Sequence, residues 1–212
     1  MREQFSGAQD YDLALRATRN TSNIVHIPKI LYHWRKIPGS ACVQVNAKPK
    51  ALIAAKEALQ EHIQVHYQGT AEVVDGKLPG IFRVKHQLLG TPTVTLLILT
   101  HNSIVEIPGR GKVYLVDNFI RSILEKTDYP NYRILVVDDQ NTDVEQMQKY
   151  KDYGVSLVSY TGAQKFFNFA SKANFSFSQV NSELLVLLND DMEVLSSEWL
   201  GALIEFAQSP EI

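Results

Sequence analysis

The sequence holds a single cysteine, Cys42, among 212 residues. No intrachain disulfide can form and no cysteine-built zinc site can be assembled. Cys42 reads as a small apolar filler in a protein of a reducing compartment. Basic charge is not in surplus: Lys and Arg number 21 against 23 Asp and Glu, a formal net charge of −2. That excludes the electrostatic footprint of a nucleic-acid binder. No apolar run approaches the roughly 18 residues of a membrane-spanning helix. The start, Met1-Arg2-Glu3-Gln4-Phe5-Ser6-Gly7, has no apolar stretch like that of a signal peptide. These absences predict a soluble chain. Missing too are the Gly-x-Gly-x-x-Gly fingerprint, the P-loop and the Gly-x-Ser-x-Gly elbow, so dinucleotide, P-loop ATP and serine-hydrolase sites are not supported.

What is present is organised around residues 183–194. Five apolar residues, 184–188, run without alternation into Asn189-Asp190-Asp191. Such a run reads as a strand buried on both faces. Carboxylates at its carboxyl end stand where open α/β sheets bind ligands. A hard divalent cation or a hydroxyl-bearing ligand would relieve their repulsion. A solvated acidic turn closing a core strand is the other reading of the same residues.

From the start of the chain, a helix is expected from Gln9, capped by Asp10 or Asp12. Short strands are expected at 24–28 and 30–35, with a turn at Pro38-Gly39-Ser40. A long helix should span 47–67, with Leu52, Ala55, Leu59, Ile63 and His66 on one face and Gly69 ending it. A small hairpin follows around Asp75-Gly76 and Pro79-Gly80. Gly90-Thr91-Pro92 reads as a seam. Beyond it strands at 94–100, 133–137, 155–158 and 184–188 alternate with helices at 116–126, 142–153, 168–180 and 197–207. In the helix at 116–126, Phe119, Ile120, Ile123 and Leu124 should point inward. In the helix at 197–207, Trp199, Leu200, Leu203 and Phe206 form the apolar face. This order implies a parallel sheet with right-handed crossovers. Three polar clusters then fall at three strand ends: Thr100-His101-Asn102, Asp138-Asp139 with Asn141-Thr142-Asp143, and Asn189-Asp190-Asp191. A nucleoside diphosphate would need such a set, one carboxylate for base or ribose and another for a metal bridging the phosphates.

Residues 93–102, Tyr129-Pro-Asn-Tyr-Arg-Ile-Leu-Val-Val-Asp-Asp, Asn168-Phe-Ala and Leu187-Leu-Asn-Asp-Asp-Met-Glu-Val together resemble family 2 glycosyltransferases of the GT-A fold. The resemblance covers about residue 92 to the end. It implies that Thr100, His101 and Asn102 lie beside the nucleobase and that Asp138 or Asp139 contacts a uracil-type base or ribose. It places Asp190 near the ribose and Asp191 on the metal, Mn²⁺ or Mg²⁺. Asn174 matches a family asparagine on the preceding helix. Two stretches depart from the family pattern: 103–115 is longer than the usual first loop, and Val180-Asn181-Ser182-Glu183 lacks the usual glycine.

Residues 6–13 and 27–35 resemble the acceptor half of a preceding domain of the same family. Asp10 matches its catalytic base, and His33 and Arg35 could meet phosphate. Asp10 as a helix cap, with Tyr32, His33 and Trp34 packing a strand edge, is the plainer alternative. The expected organisation is therefore a remnant at 1–45, a connector helix and hairpin at 46–90, and the nucleotide-sugar-binding half of a GT-A domain at 91–212. The class is α/β, a Rossmann-like and mainly parallel sheet with flanking helices, preceded by an α+β remnant. The expected function is metal-dependent, inverting transfer from a UDP-type nucleotide-diphosphate sugar to a saccharide or lipid-linked acceptor in bacterial surface-polysaccharide synthesis. The expected place is the cytoplasm, with peripheral association at the inner face of the membrane. A non-catalytic sugar-nucleotide-binding or interaction module is the second reading.

Overall fold

A computed structural model describes residues 2–33, 35, 49–109, 111–162 and 168–208. The chain divides into two compact units, Met1–Gln87 and Leu88–Ile212. The division falls just ahead of Gly90-Thr91-Pro92.

The first unit starts with a 3₁₀ turn, Glu3–Phe5, and helix α1, Gln9–Asn20. Helix α2, Pro49–Tyr67, follows, then strands β1, Ala71–Asp75, and β2, Phe82–His86, paired antiparallel as a hairpin. Phe5 and Ala8 pack with Ala54 and Ala58, and Leu59, Ile63 and Val73 form a second apolar cluster. The inward face of α2 therefore runs Ala54, Ala58, Leu59 and Ile63, while His66 is exposed. Helix α2 ends where Gln68 and Gly69 turn left-handed, at φ 48° and 86°, which glycine adopts freely. Helix α2 thus packs on both the expected remnant, through Phe5 and Ala8, and the hairpin, through Val73.

Besides His66, two expectations fail in this unit. Residues 24–33 form no strand: Ile24, Val25, Ile27, Ile30, Leu31 and Tyr32 are 59 to 85% exposed. An apolar run becomes a strand only where another backbone pairs with it, and no described residue does so here. Nor does Asp10 or Asp12 cap α1; Ala8 holds the N-cap position without a side-chain bond. Asp12 is instead buried between Arg2 and Arg16, and Arg2 also grips Glu61 at 2.6 Å. The turn at 38–40, Trp34 and Cys42 lie outside the described residues.

The second unit carries the alternating pattern. Strand β3 is Val94–Leu99, and an antiparallel pair follows, β4, Ile104–Ile107, and β5, Gly111–Tyr114. Then come α3, Leu115–Lys126; β6, Tyr132–Asp138; α4, Val144–Asp152; β7, Ser156–Ser159; α5, Phe169–Ser178; β8, Leu184–Asn189; and α6, Trp199–Ala207. The main sheet has the order β7-β6-β3-β8, all parallel. This is the expected Rossmann-like α/β arrangement. Every residue of β3 is buried, as a central parallel strand covered on both faces requires.

The alternate residues of each strand feed two cores. Val94, Leu96, Ile98, Ile134, Val136 and Leu188 pack with Phe119, Ile120 and Ile123 of α3, Tyr150 of α4, and Leu200 and Ile204 of α6. Leu97, Leu99, Leu135 and Val137 on the other face meet Ala173 of α5. Three inward assignments are corrected: Leu124, Leu203 and Phe206 are 38, 48 and 49% exposed. Each points off the packed stripe that Ile123, Leu200 and Ile204 occupy. The strand β8 is corrected too. It stands at the sheet edge with alternating burial, and Leu185 and Leu187 are half exposed while Leu188 is buried.

Candidate functional site: the carboxyl ends of three parallel strands

The chain runs outward from β3 through β6 to β7, then returns to β8 on the other flank of β3. The reversal puts a switch point between β3 and β8, where open α/β sheets leave a ligand crevice at the strand ends. Thr100, just past β3, and Asp190, just past β8, close that point with a hydrogen bond from Thr100 Oγ1 to Asp190 Oδ2. Thr100 is buried and Asp190 half-buried.

The end of β6 joins through a buried lysine. Lys172 of α5 is the largest fully buried side chain described. Its Nζ donates to the carbonyl of Thr100 at 2.7 Å and to Asp139 Oδ1 at 2.8 Å. A buried ammonium is tolerable only when paired and hydrogen-bonded, and Asp139 supplies the opposite charge. The other oxygen of Asp139, Oδ2, lies 3.1 Å from Nδ1 of His101, whose side chain is 75% exposed. One continuous set, Asp139, Lys172, Thr100 and Asp190, therefore links the ends of β6, β3 and β8.

Asp138 is not part of that set. The resemblance left Asp138 and Asp139 as alternatives for the base or ribose, but Asp138 is fully buried. Its Oδ2 accepts from the backbone N–H groups of Asn141 and Thr142, both at 3.0 Å. Burial alone would raise its carboxyl, but the Thr142 and Ser159 hydroxyls and the backbone donors outweigh that and hold it below the usual carboxylate range. The hydroxyls act at a distance: Asp138 Oδ1 and Thr142 Oγ1 make no hydrogen bond of good geometry. Strand alternation separates the two neighbours, turning Asp138 into the turn and Asp139 toward the crevice.

Asn102 is likewise a bracket. Its backbone is left-handed, φ 58°, a conformation asparagine tolerates. Its side chain exchanges two hydrogen bonds with Gln146 of α4, at 2.8 and 3.0 Å, and donates to the Asn141 carbonyl at 2.9 Å. Gln146 also donates to Asp117 of α3. Asp143 caps α4 by accepting from the Gln146 N–H at 2.8 Å, a bond that lowers its carboxyl.

Asp191 is exposed at the mouth, and Asn174 is exposed on α5. Asn174 stands two positions from Lys172, so on a helix it leaves from a different face and is not drawn into the cluster. Asp10 belongs to the first unit, exposed, with Oδ1 accepting from the Tyr11 N–H at 2.9 Å. No group of three or more His, Cys, Asp or Glu among the described residues could hold a metal. Asp190 Oδ2 accepts from Thr100 and Asp191 is exposed, so these residues offer a cation one or two carboxylates, the number used by a hard ion that keeps its waters and takes further ligands from substrate phosphates. A groove of about 760 Å³ on α3 and α4, lined in part by Asp117, Arg121, Tyr150 and Tyr153, contains none of these carboxylates.

Lys172, Gln146 and Asp117 were not read from the sequence as site residues. The available signal was a polar residue on the inward stripe of a helix: Lys172 beside Ala173 and one turn from Ser176, and Gln146 one turn from Tyr150.

Comparison with known proteins decides the family. The description "Glycosyl transferase family 2" matches residues 97–212, more than half the chain and the whole of the strand-end cluster. The chain belongs to glycosyl transferase family 2. Among curated relatives it is 33% identical over 215 residues to the uncharacterized protein y4gI of Sinorhizobium fredii. It is 32% identical over 213 residues to the O-antigen biosynthesis protein RfbC of Myxococcus xanthus. Both alignments take in 100% of this chain, which spans only 23% and 16% of those two proteins. Solved structures of similar shape include a mannosyltransferase, PcManGT, from Pyrobaculum calidifontis in complex with GDP-Man and Mn²⁺. Its TM-score is 0.45 at 17% identity, over 76% of this chain and 42% of that one. S. aureus TarS 1–349 in complex with UDP has a TM-score of 0.37 at 18% identity, over 54% and 31%. At these TM-scores the likeness settles neither ligand nor metal for this member of the family.

Proposed function

We propose that the second unit is the donor site of a glycosyltransferase that uses a nucleotide-diphosphate sugar of the uridine type. The observation carrying this reading is the Asp139-Lys172-Thr100-Asp190 linkage across three strand ends. Asp139 is an acceptor at the strand ends, with Oδ1 held by Lys172. A uracil edge offers an N–H that Oδ2 would accept once the His101 ring turns away, whereas cytosine would set a lone pair there.

Asp190, oriented by Thr100, faces ribose hydroxyls in this reading, and Asp191 contributes to holding Mn²⁺ or Mg²⁺. When bound, such a cation neutralises charge on the departing diphosphate. Lys172 compensates Asp139, so the negative charge left for a cation is concentrated at Asp190 and Asp191. An inverting transfer to a saccharide or lipid-linked acceptor needs a carboxylate to take the hydroxyl proton. By family resemblance alone Asp10 has that role, in a domain other than the second unit. No described helix is long and apolar enough to cross a membrane. A cytoplasmic, membrane-peripheral place is part of the proposal.

Calorimetry of UDP, GDP and CDP, with and without Mn²⁺, tests this. UDP should bind most tightly, and Asp191→Asn should remove most of the metal-dependent part, since it deletes a charged ligand of a hard cation. Equal UDP binding in EDTA overturns the metal assignment, and equal binding of all three nucleotides overturns the base assignment.

A further inference from the structure

We infer that His101 is a latch over Asp139, which a nucleotide must displace to enter; the inference rests on the donor-site reading above. Both oxygens of Asp139 are engaged, Oδ1 by Lys172 at 2.8 Å and Oδ2 by His101 Nδ1 at 3.1 Å. An ionised carboxylate only accepts, so Nδ1 carries the proton in this contact. The Asp139 side chain is left 6% exposed.

Its two covers differ in freedom. Lys172 is 2% exposed and tied to the Thr100 carbonyl as well, so it is fixed from beneath. His101 is 75% exposed. Asn141 Nδ2 holds the His101 carbonyl at 3.1 Å, which fixes the backbone and leaves the ring able to rotate about χ1. Asn141 Nδ2 also stands 3.3 Å from Nδ1, but both atoms are donors once Nδ1 is protonated, so that approach adds no hold. Among the described residues His101 is therefore the cover that can open.

A base N–H and the His101 N–H compete for the same oxygen. The measured affinity is then the intrinsic affinity multiplied by the fraction of molecules with the ring turned away. Removing the Nδ1 donor should tighten binding. A residue that stacked on the base would do the reverse, because losing it removes a favourable contact.

The experiment titrates UDP, with Mn²⁺, into the full chain as wild type, His101→Phe and His101→Ala. Phenylalanine keeps a ring and lacks the donor; alanine lacks both. The latch predicts binding roughly three- to tenfold tighter in both variants, the inverse of the open fraction. It also predicts that the wild-type His101 ring ¹⁵N signals shift on adding UDP, and that Asp139→Asn shifts them without UDP. Unchanged or weaker binding in the variants overturns the latch while leaving the donor site standing. Weaker binding in His101→Ala alone assigns the ring to stacking and overturns it as well. No binding of UDP by any of the three proteins is the failure of the donor-site reading itself, and the latch falls with it.

Discussion

Asp138 holds a charge with no access to water, and the turn after β6 depends on that charge. The backbone N–H groups of Asn141 and Thr142 have Oδ2 of Asp138 as acceptor. Asp138→Ala strands both donors, each costing about 1–3 kcal/mol when buried and unpaired. The expected outcome is a fall in melting temperature of roughly 10 °C or more for a unit of this size, measured by thermal circular dichroism. The sign of the pH dependence follows from linkage. The folded carboxyl lies below its ordinary value, so its contribution is present above the unfolded pKa. It is lost as pH falls through the folded pKa. Denaturant titrations from pH 6 down into the acid range should show wild-type stability falling, and Asp138→Asn should flatten part of that slope. Asp139→Asn belongs to a different class. It leaves the buried Lys172 ammonium without a counter-charge, so stability should fall along with nucleotide affinity, and affinity is measured below the variant's own melting temperature. An Asp139→Asn protein that binds UDP normally would exclude that carboxylate from the base site.

Among the elements, those covered on the faces their own pattern implies were the legible ones. The period of α3 and the buried runs of β3 and β6 each reported their own surroundings, because both faces of those strands meet helices. The run 184–188 looked the same and was misread. Its composition cannot tell that among the described strands β8 pairs only with β3, or that no described helix covers Leu185 and Leu187. The hairpin β4–β5 was read only as a long loop. Its signal was present in the β-branched Ile104, Val105 and Ile107 ahead of Pro108-Gly109, with Gly109 at φ 80°. Residues 24–33 failed in the opposite sense, strand-like in composition and with no described strand beside them. At the site, the strand-end carboxylates were legible because α/β topology places ligands there. Lys172 was not, since its importance lies in pairing with Thr100 and Asp139, far from it in sequence. The alternation in β8 has a measurable consequence. Leu188→Ala should cost about 2–5 kcal/mol as a core truncation, whereas Leu187→Ala, 39% exposed, should cost less than half as much by urea denaturation. Equal losses would mean that the outer face of β8 is covered in solution.

For the molecule as a whole, what matters is where the proposed nucleotide-binding groups reside. Thr100, His101, Asp139, Lys172, Asp190 and Asp191 all fall within Leu88–Ile212. That unit holds both cores that set their positions, since the strands bearing them are packed by α3, α4 and α6 on one face and α5 on the other. The first unit has its own apolar clusters and its own ionic knot of Arg2, Asp12, Arg16 and Glu61. The match of Asp10 to a catalytic base does not make the first unit necessary for the donor. A general base acts on the acceptor hydroxyl and not on the nucleotide, so its loss should change transfer and leave donor binding untouched. Residues 88–212 expressed alone should therefore bind UDP and Mn²⁺ within about twofold of the whole chain, the usual scatter for independent sites. Asp10→Asn in the whole chain should match wild type in the same calorimetric titration. Sugar transfer by the whole chain, assayed as donor consumption with a panel of saccharide and lipid-linked acceptors, should be small if Asp10 serves a different donor site. Efficient transfer abolished by Asp10→Asn would instead place the first unit's carboxylate at the second unit's crevice. A loss of UDP binding on removing 1–87, with the shortened chain still folded by circular dichroism, would show that the first unit completes the nucleotide site.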